Sequence, residues 1–314
     1  MADPSSDDGN RREPEASDGG EPSAPDGGEP ADGSTAPGDG PSTTDRTASS
    51  TASGGSGGRT VAVAIATALL LGVLGPAIAL ASGGVVLGLN AVTGGLPLAA
   101  SLVLTLVLGQ YVAFGGLAVL YLTWRGFDRA GIVEYLGVRR PSLKEIGLIV
   151  GSWALILVTI MAVSIVIQRL GTEAASNQSA ELAMQNPAII PLLIAASFLV
   201  IGPSEEILYR GVVQGRLRET LSPIPAILIA SAIFAAVHVM ALTGGASARL
   251  TTIAILFLPS IVFGAVYEYT ENLVVPALLH GLHNAVIFTI LYITIAYGDE
   301  IQEAAGGSAA LIPF

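Results

Sequence analysis

The chain contains no cysteine, which removes disulfides, thiolate metal sites and a cysteine nucleophile from consideration. It has one lysine, Lys144, and three histidines, His238, His280 and His283. Charged residues are only 12% of the 314, against 51% hydrophobic residues and a mean hydropathy of +0.65. So little charge excludes an ordinary soluble domain and points to the membrane class. The charge present is also unevenly placed. Residues 1–60 hold 12 acids against 4 arginines, while the rest of the chain holds 13 acids against 10 bases. Acidity of this kind argues against nucleic-acid binding, which needs basic surface.

The first 58 residues are Pro, Gly, Ser, Asp and Glu with almost no large apolar side chain. Such a segment cannot bury enough surface to offset the entropy of ordering, so residues 1–58 read as a disordered acidic tail. No basic n-region followed at once by an apolar core occurs there, so it does not read as a secretory signal peptide. Residues 59–314 read as a polytopic membrane domain. Apolar runs able to cross ~30 Å of hydrocarbon fall at about 60–82, 98–123, 146–167, 188–209, 223–243, 250–267 and 273–297. The expectation is an all-α bundle of seven spans. Glycine-rich "ASGGVVLGLNAVTGG" (Ala81 to Gly95) leaves room for a re-entrant piece and hence for six or eight. Arg125, Arg129, Arg139, Arg140 and Lys144 lie between spans two and three, and Arg210, Arg216 and Arg218 between four and five. The positive-inside rule then puts the tail in the cytoplasm and the C-terminus outside a multi-pass cell-membrane protein.

Within these spans, charge is nearly absent, so the exceptions are informative. All three histidines fall in the last three spans and their borders, and Glu205 and Glu206 are the only acids inside a span. Ionisable groups at membrane depth are costly and face a bundle interior or an aqueous cavity. In "IGPSEEILYRG" Glu206 and Arg210 stand at i, i+4 on one helix face, so Arg210 can neutralise Glu206. Glu205 points about 100° away and lacks that partner. Phe234 and His238 repeat the i, i+4 spacing on span five, as do His280 and Asn284 on span seven, with His283 rotated off that face. A hairpin turning at Ser222-Pro223 would bring Glu205 and His238 level, each roughly 22–24 Å from the turn. His280 is only roughly 12 Å from the start of its span by the same rise, so span seven must begin deeper or tilt. A carboxylate beside an imidazole in a low-dielectric cavity can take a proton from water, and a second His with an Asn can stabilise an oxyanion. That chemistry is peptide-bond hydrolysis inside a membrane. Gly202-Pro203 reads as a helix irregularity beside Glu205.

Glu205-Glu206-x-x-x-Arg210, Phe234-x-x-x-His238 and His280-x-x-x-Asn284, in that order on separate spans, resemble the three-motif signature of the CPBP (CAAX protease and bacteriocin-processing, ABI) intramembrane proteases. The resemblance covers roughly residues 190–290, within a catalytic core at about 188–297. It implies a glutamate-type endopeptidase acting on a membrane-associated protein or peptide, with prenylated CAAX substrates in one branch of the family. Glu205 and His238 would activate water, His280 and Asn284 would stabilise the oxyanion, and Glu206, Arg210 and Phe234 would support them. No cofactor is expected on this reading. The alternative is zinc held by Glu205, His238 and His280, a three-ligand set that leaves one position for water, though no HExxH is present. Two other classes compete. A non-proteolytic scaffold or immunity-type protein of the same fold would be free to lose the motif residues, and a proton-coupled transporter would show polar interruptions in both halves.

Overall fold

The computed structural model describes residues 54–304, which are helical throughout apart from short connections. Nearly all of the acidic tail therefore lies outside the described residues. Seven helices are long and apolar enough to cross a membrane, matching the seven expected spans. In chain order, α1 is Gly54–Thr93, α2 is Leu98–Trp124, and α3 is a short helix, Arg129–Tyr135. They are followed by α4 (Leu143–Arg169) and a second short helix, α5 (Gln178–Gln185). The last four are α6 (Pro187–Arg218), α7 (Pro223–Ala241), α8 (Ala246–Thr270) and α9 (Val274–Ala304). In lipid each segment must satisfy its own backbone groups, and the helix is the form that does so.

Local chemistry sets the ends. Ser142 and Glu145 form a capping box at the start of α4, and Asp128 accepts the Gly131 N–H at the start of α3. Proline opens α6 and α7, where its missing N–H costs nothing. The glycine-rich stretch after Ala81 is not re-entrant. It continues α1 to Thr93, and the chain turns only at Gly94 (φ 77°) and Gly95 (φ 105°). Glycines within a helix are tolerated in lipid because the alternative is unsatisfied backbone.

Three apolar clusters surround the interior. One joins α1, α2, α6 and α7 through Phe114, Tyr209 and Phe234. Another joins α4, α8 and α9 through Ile156, Phe263 and Leu279. The third joins α5, α6 and α9 through Ile190, Leu193 and Phe288. The connections after α2, α6 and α8 lie at one end. There Arg125 and Arg216 both pair with Glu219 at 2.6 Å, and Arg218 pairs with Glu268 at 2.7 Å.

At that same end the start of α9 is sunk into the protein, with Asn272, Leu273 and Val275 all buried. Arg139 donates to Glu145 and to the Thr270 carbonyl, and Asn272 also reaches Glu145. Gly137, at φ 65°, passes so near Glu271 that a Cβ would sit 2.0 Å from its carbonyl oxygen. This linker clamps the α8–α9 turn against the protein, and His280 reaches Glu206 despite its short distance from Val274.

Further along, α6 and α9 approach backbone to backbone. A Cβ on Gly202 would lie 2.7 Å from the Ala277 carbonyl oxygen and 3.1 Å from the Gly281 nitrogen. Small residues permit such contact between membrane helices. Gly202→Ala should force the two helices apart and lower stability by about 1–3 kcal/mol. Thermal unfolding in detergent measures it, and an unchanged midpoint would contradict the tight contact.

Candidate active site

Around the paired glutamates α6 is not a regular α-helix. Ser197–Ile201 and Ile207–Gln214 are wound in wide i→i+5 turns, and Gly202–Glu206 is a single α-helical turn between them. Pro203 has no N–H to give the ladder, which accounts for the irregularity that Gly202-Pro203 foretold. Wide turns of this kind recur at functional sites because they redirect side chains. A third such stretch, Val107–Gly116, lies in α2.

Glu206 is fully buried. Its Oε1 accepts from Arg210 Nη1 at 3.0 Å, as the i, i+4 spacing indicated, and from His280 Nδ1 at 2.8 Å. Since a carboxylate only accepts here, the His280 Nδ1–H is the donor, and Nε2 is left to face elsewhere. That nitrogen lies 3.9 Å from Glu205 Oε2. One histidine therefore spans both glutamates, which the sequence had assigned to separate partners. Glu205 is buried too, and its Oε1 accepts from Gln110 Nε2 of α2 at 3.2 Å.

Arg210 is held on every side. Its Nη2 donates to the Ser260 carbonyl at 3.1 Å and the Ser260 hydroxyl at 2.9 Å, both on α8. Its guanidinium lies between the Phe234 ring at 4.6 Å and the Phe263 ring at 5.3 Å. Phe263 in turn stacks on His280, with centroids 5.0 Å apart and 18° between planes. These contacts leave His280 little freedom to rotate.

The hairpin register sets His238 level with Glu205. No hydrogen bond or ion pair joins it to Glu205. Its Nδ1–H donates to the Phe234 carbonyl at 2.7 Å, one turn back on its own helix, which leaves Nε2 as the nitrogen that can address another group. Phe234 sits against both histidine rings, 4.6 Å from His238 and 5.9 Å from His280. Asn284 is half-buried one turn beyond His280 and makes no hydrogen bond within the described residues. His283 is buried edge-on to Phe263 at 6.4 Å, away from the glutamates.

Of the three residues in the zinc alternative, Glu205 Oε2 and His280 Nε2 lie 3.9 Å apart. Among the described residues no group of three His, Asp or Glu is arranged to hold a metal ion.

Sequence reasoning missed Gln110, Ser260 and Phe263. Gln110 had a signal, being a lone amide in the apolar run "LVLGQYVAFGG". Ser260 and Phe263 had none, because a serine or phenylalanine in a membrane helix is unremarkable until its neighbours are known.

Residues 187–286 match the family described as Type II CAAX prenyl endopeptidase Rce1-like. No curated protein and no solved structure matches the chain. The matched segment runs from the start of α6 through Asn284 and contains all three polar motifs, so these helices are similar to the CPBP-family proteases of the Rce1-like kind.

Proposed function

We propose that the protein is an intramembrane endopeptidase that cleaves a membrane-associated CAAX-type substrate, with Glu205 as the general base. The observation that carries this reading is His280 fixed between two buried glutamates, 2.8 Å from Glu206 and 3.9 Å from Glu205. A water held between Glu205 and the free Nε2 of His238 gives its proton to the Glu205 carboxylate and attacks the scissile carbonyl carbon. The carbonyl oxygen becomes an oxyanion that accepts from the Asn284 amide and from the Nε2–H of His280, which acts as an imidazolium with its Nδ1–H held by Glu206. On collapse the C–N bond breaks and Glu205 returns the proton to the leaving amine. Glu206 accepts the His280 Nδ1–H and so fixes which ring nitrogen faces the reaction, the orienting task that a carboxylate performs for a catalytic histidine. No metal is needed for these steps.

The basic connections mark the cytoplasmic end on this reading. Glu206 lies twelve residues before Arg218, at most roughly 18 Å along the helix from that end. The site is then reached from the cytoplasmic leaflet, where a lipidated C-terminus would be anchored.

The test is proteolysis in reconstituted vesicles with one CAAX-terminated peptide supplied farnesylated and unmodified, with and without a chelator. Cleavage after the modified cysteine, unaffected by chelation, is the expected result. No cleavage of either peptide favours the non-proteolytic scaffold. Activity lost on chelation and restored by zinc replaces the metal-free mechanism with the metal one.

A further inference from the structure

Gln110 belongs to α2, outside the segment that matches the protease family, yet its side chain meets the proposed base directly. Its amide orientation follows from chemistry. Only the NH₂ end can face a carboxylate, so Nε2 donates to Glu205 Oε1 at 3.2 Å. The other end, Oε1, is then buried and accepts no hydrogen bond. A buried acceptor without a donor carries a desolvation cost, and such groups call for a functional account.

The backbone around Gln110 is built to hold it. It lies in the wide-turned stretch Val107–Gly116, where Gly109 brings α2 close to Ala79 of α1. The next residue, Tyr111, donates its hydroxyl to the Leu199 carbonyl, within the wide-turned stretch that leads into the glutamates. Two successive residues of α2 are thus tied to α6 within the stretch Leu199 to Glu205, one through a backbone carbonyl and one through the carboxylate itself.

We propose that Gln110 is a positioning residue for Glu205 that also recognises the scissile amide: Nε2 engages Oε1 of the base, and Gln110 Oε1 accepts the substrate N–H. The first contact decides which Glu205 oxygen is free. With Oε1 engaged, Oε2 remains on the His280 side to take the proton from water. The second contact lies on the leaving-group side, where a peptide presents one N–H and an ester presents none. Gln110 gains and loses no proton in the cycle. This inference rests on the reading of Glu205 as the base.

Gln110→Met keeps the length and shape of the side chain and removes both polar ends. The full-length variant in vesicles is compared with wild type on a peptide and on the matching depsipeptide, whose scissile bond is an ester. On the peptide, kcat should fall about 10–100-fold, as for other partners that orient a reacting group, with KM within about twofold. The ester should lose less. Unchanged kcat, or equal loss on both substrates with a raised KM, overturns the proposal. An infrared measurement separates this outcome from failure of the protease reading. The carboxylate band that disappears in Glu205→Gln should shift in Gln110→Met, whether or not any substrate is cleaved. A band that stays in place sinks the positioning role by itself, whereas full activity in Glu205→Gln sinks the assignment of the base and leaves the hydrogen bond intact.

Discussion

Glu205→Gln should lower kcat about 10²–10⁴-fold, the range for loss of a positioned general base, and leave the fold intact. The amide keeps the shape of the carboxylate, and the two contacts at this position are modest: one hydrogen bond from Gln110 at 3.2 Å and an approach of 3.9 Å from His280. The unfolding midpoint should therefore change little. The same substitution one residue later should behave differently. Glu206 holds both Arg210 and His280 and is fully buried, so Glu206→Gln removes the charge that compensates Arg210. Activity and stability should fall together. Parallel measurement of proteolysis and thermal unfolding distinguishes the two glutamates. Equal destabilisation by both variants, or an active Glu205→Gln, would show that their roles are misassigned.

Arg210→Leu should be the most destabilising single change in the site, costing about 3–5 kcal/mol, because it leaves the buried Glu206 carboxylate without its guanidinium partner and with only His280 beside it. Arg210 is 1% exposed and makes three hydrogen bonds that a leucine cannot replace: one to Glu206 and two to Ser260. Arg210→Lys should recover only part of the loss, since an ammonium lacks the planar fork that reaches Glu206 and Ser260 together while lying between two rings. Combining Arg210→Leu with Glu206→Leu should restore much of the stability without restoring activity. That outcome would separate the fold-keeping part of the network from its effect on His280. A double variant no more stable than Arg210→Leu alone would contradict the ion-pair account.

The charged and imidazole residues of the motifs were visible in the sequence because they broke a strong rule. Charged and imidazole side chains are rare in apolar spans, so Glu205, Glu206, Arg210, His238 and His280 stood out without any alignment. The Glu206–Arg210 pair was also legible, because i, i+4 spacing on one helix determines proximity locally. Contacts between helices were not legible to the same degree. The hairpin estimate paired Glu205 with His238, but it treated α6 as a regular α-helix and fixed no rotation about its axis. The wide turns on both sides of Gly202–Glu206 alter that rotation, and Glu205 comes to face α2 and α9.

His280 shows the same limit from the other direction. Counting from the start of its span left it too shallow to meet the glutamates. It meets them because the Arg139–Glu145–Asn272 clamp and the close passage of Gly137 sink the α8–α9 turn into the protein. The contacts that close the clamp, Glu145 with Asn272 and Gly137 with Glu271, join residues more than a hundred positions apart, and no periodicity encodes them. Gln110 was missed because one amide in an apolar run has many bland explanations, and its partner lies 95 residues away.

What the sequence by itself determined is the class of the molecule, seven spans and the small set of polar residues that lipid does not tolerate without a reason. Hydrophobicity and helix periodicity act over one turn or one span, so they can be read in one dimension. Only the tertiary structure decided that Glu206, rather than Glu205, takes the direct hydrogen bond from His280, that His238 is tied to its own helix, and that α2 supplies a contact to Glu205. Those outcomes depend on the rotation and depth of one helix against another, set by glycine contacts, wide turns and a distant clamp acting together.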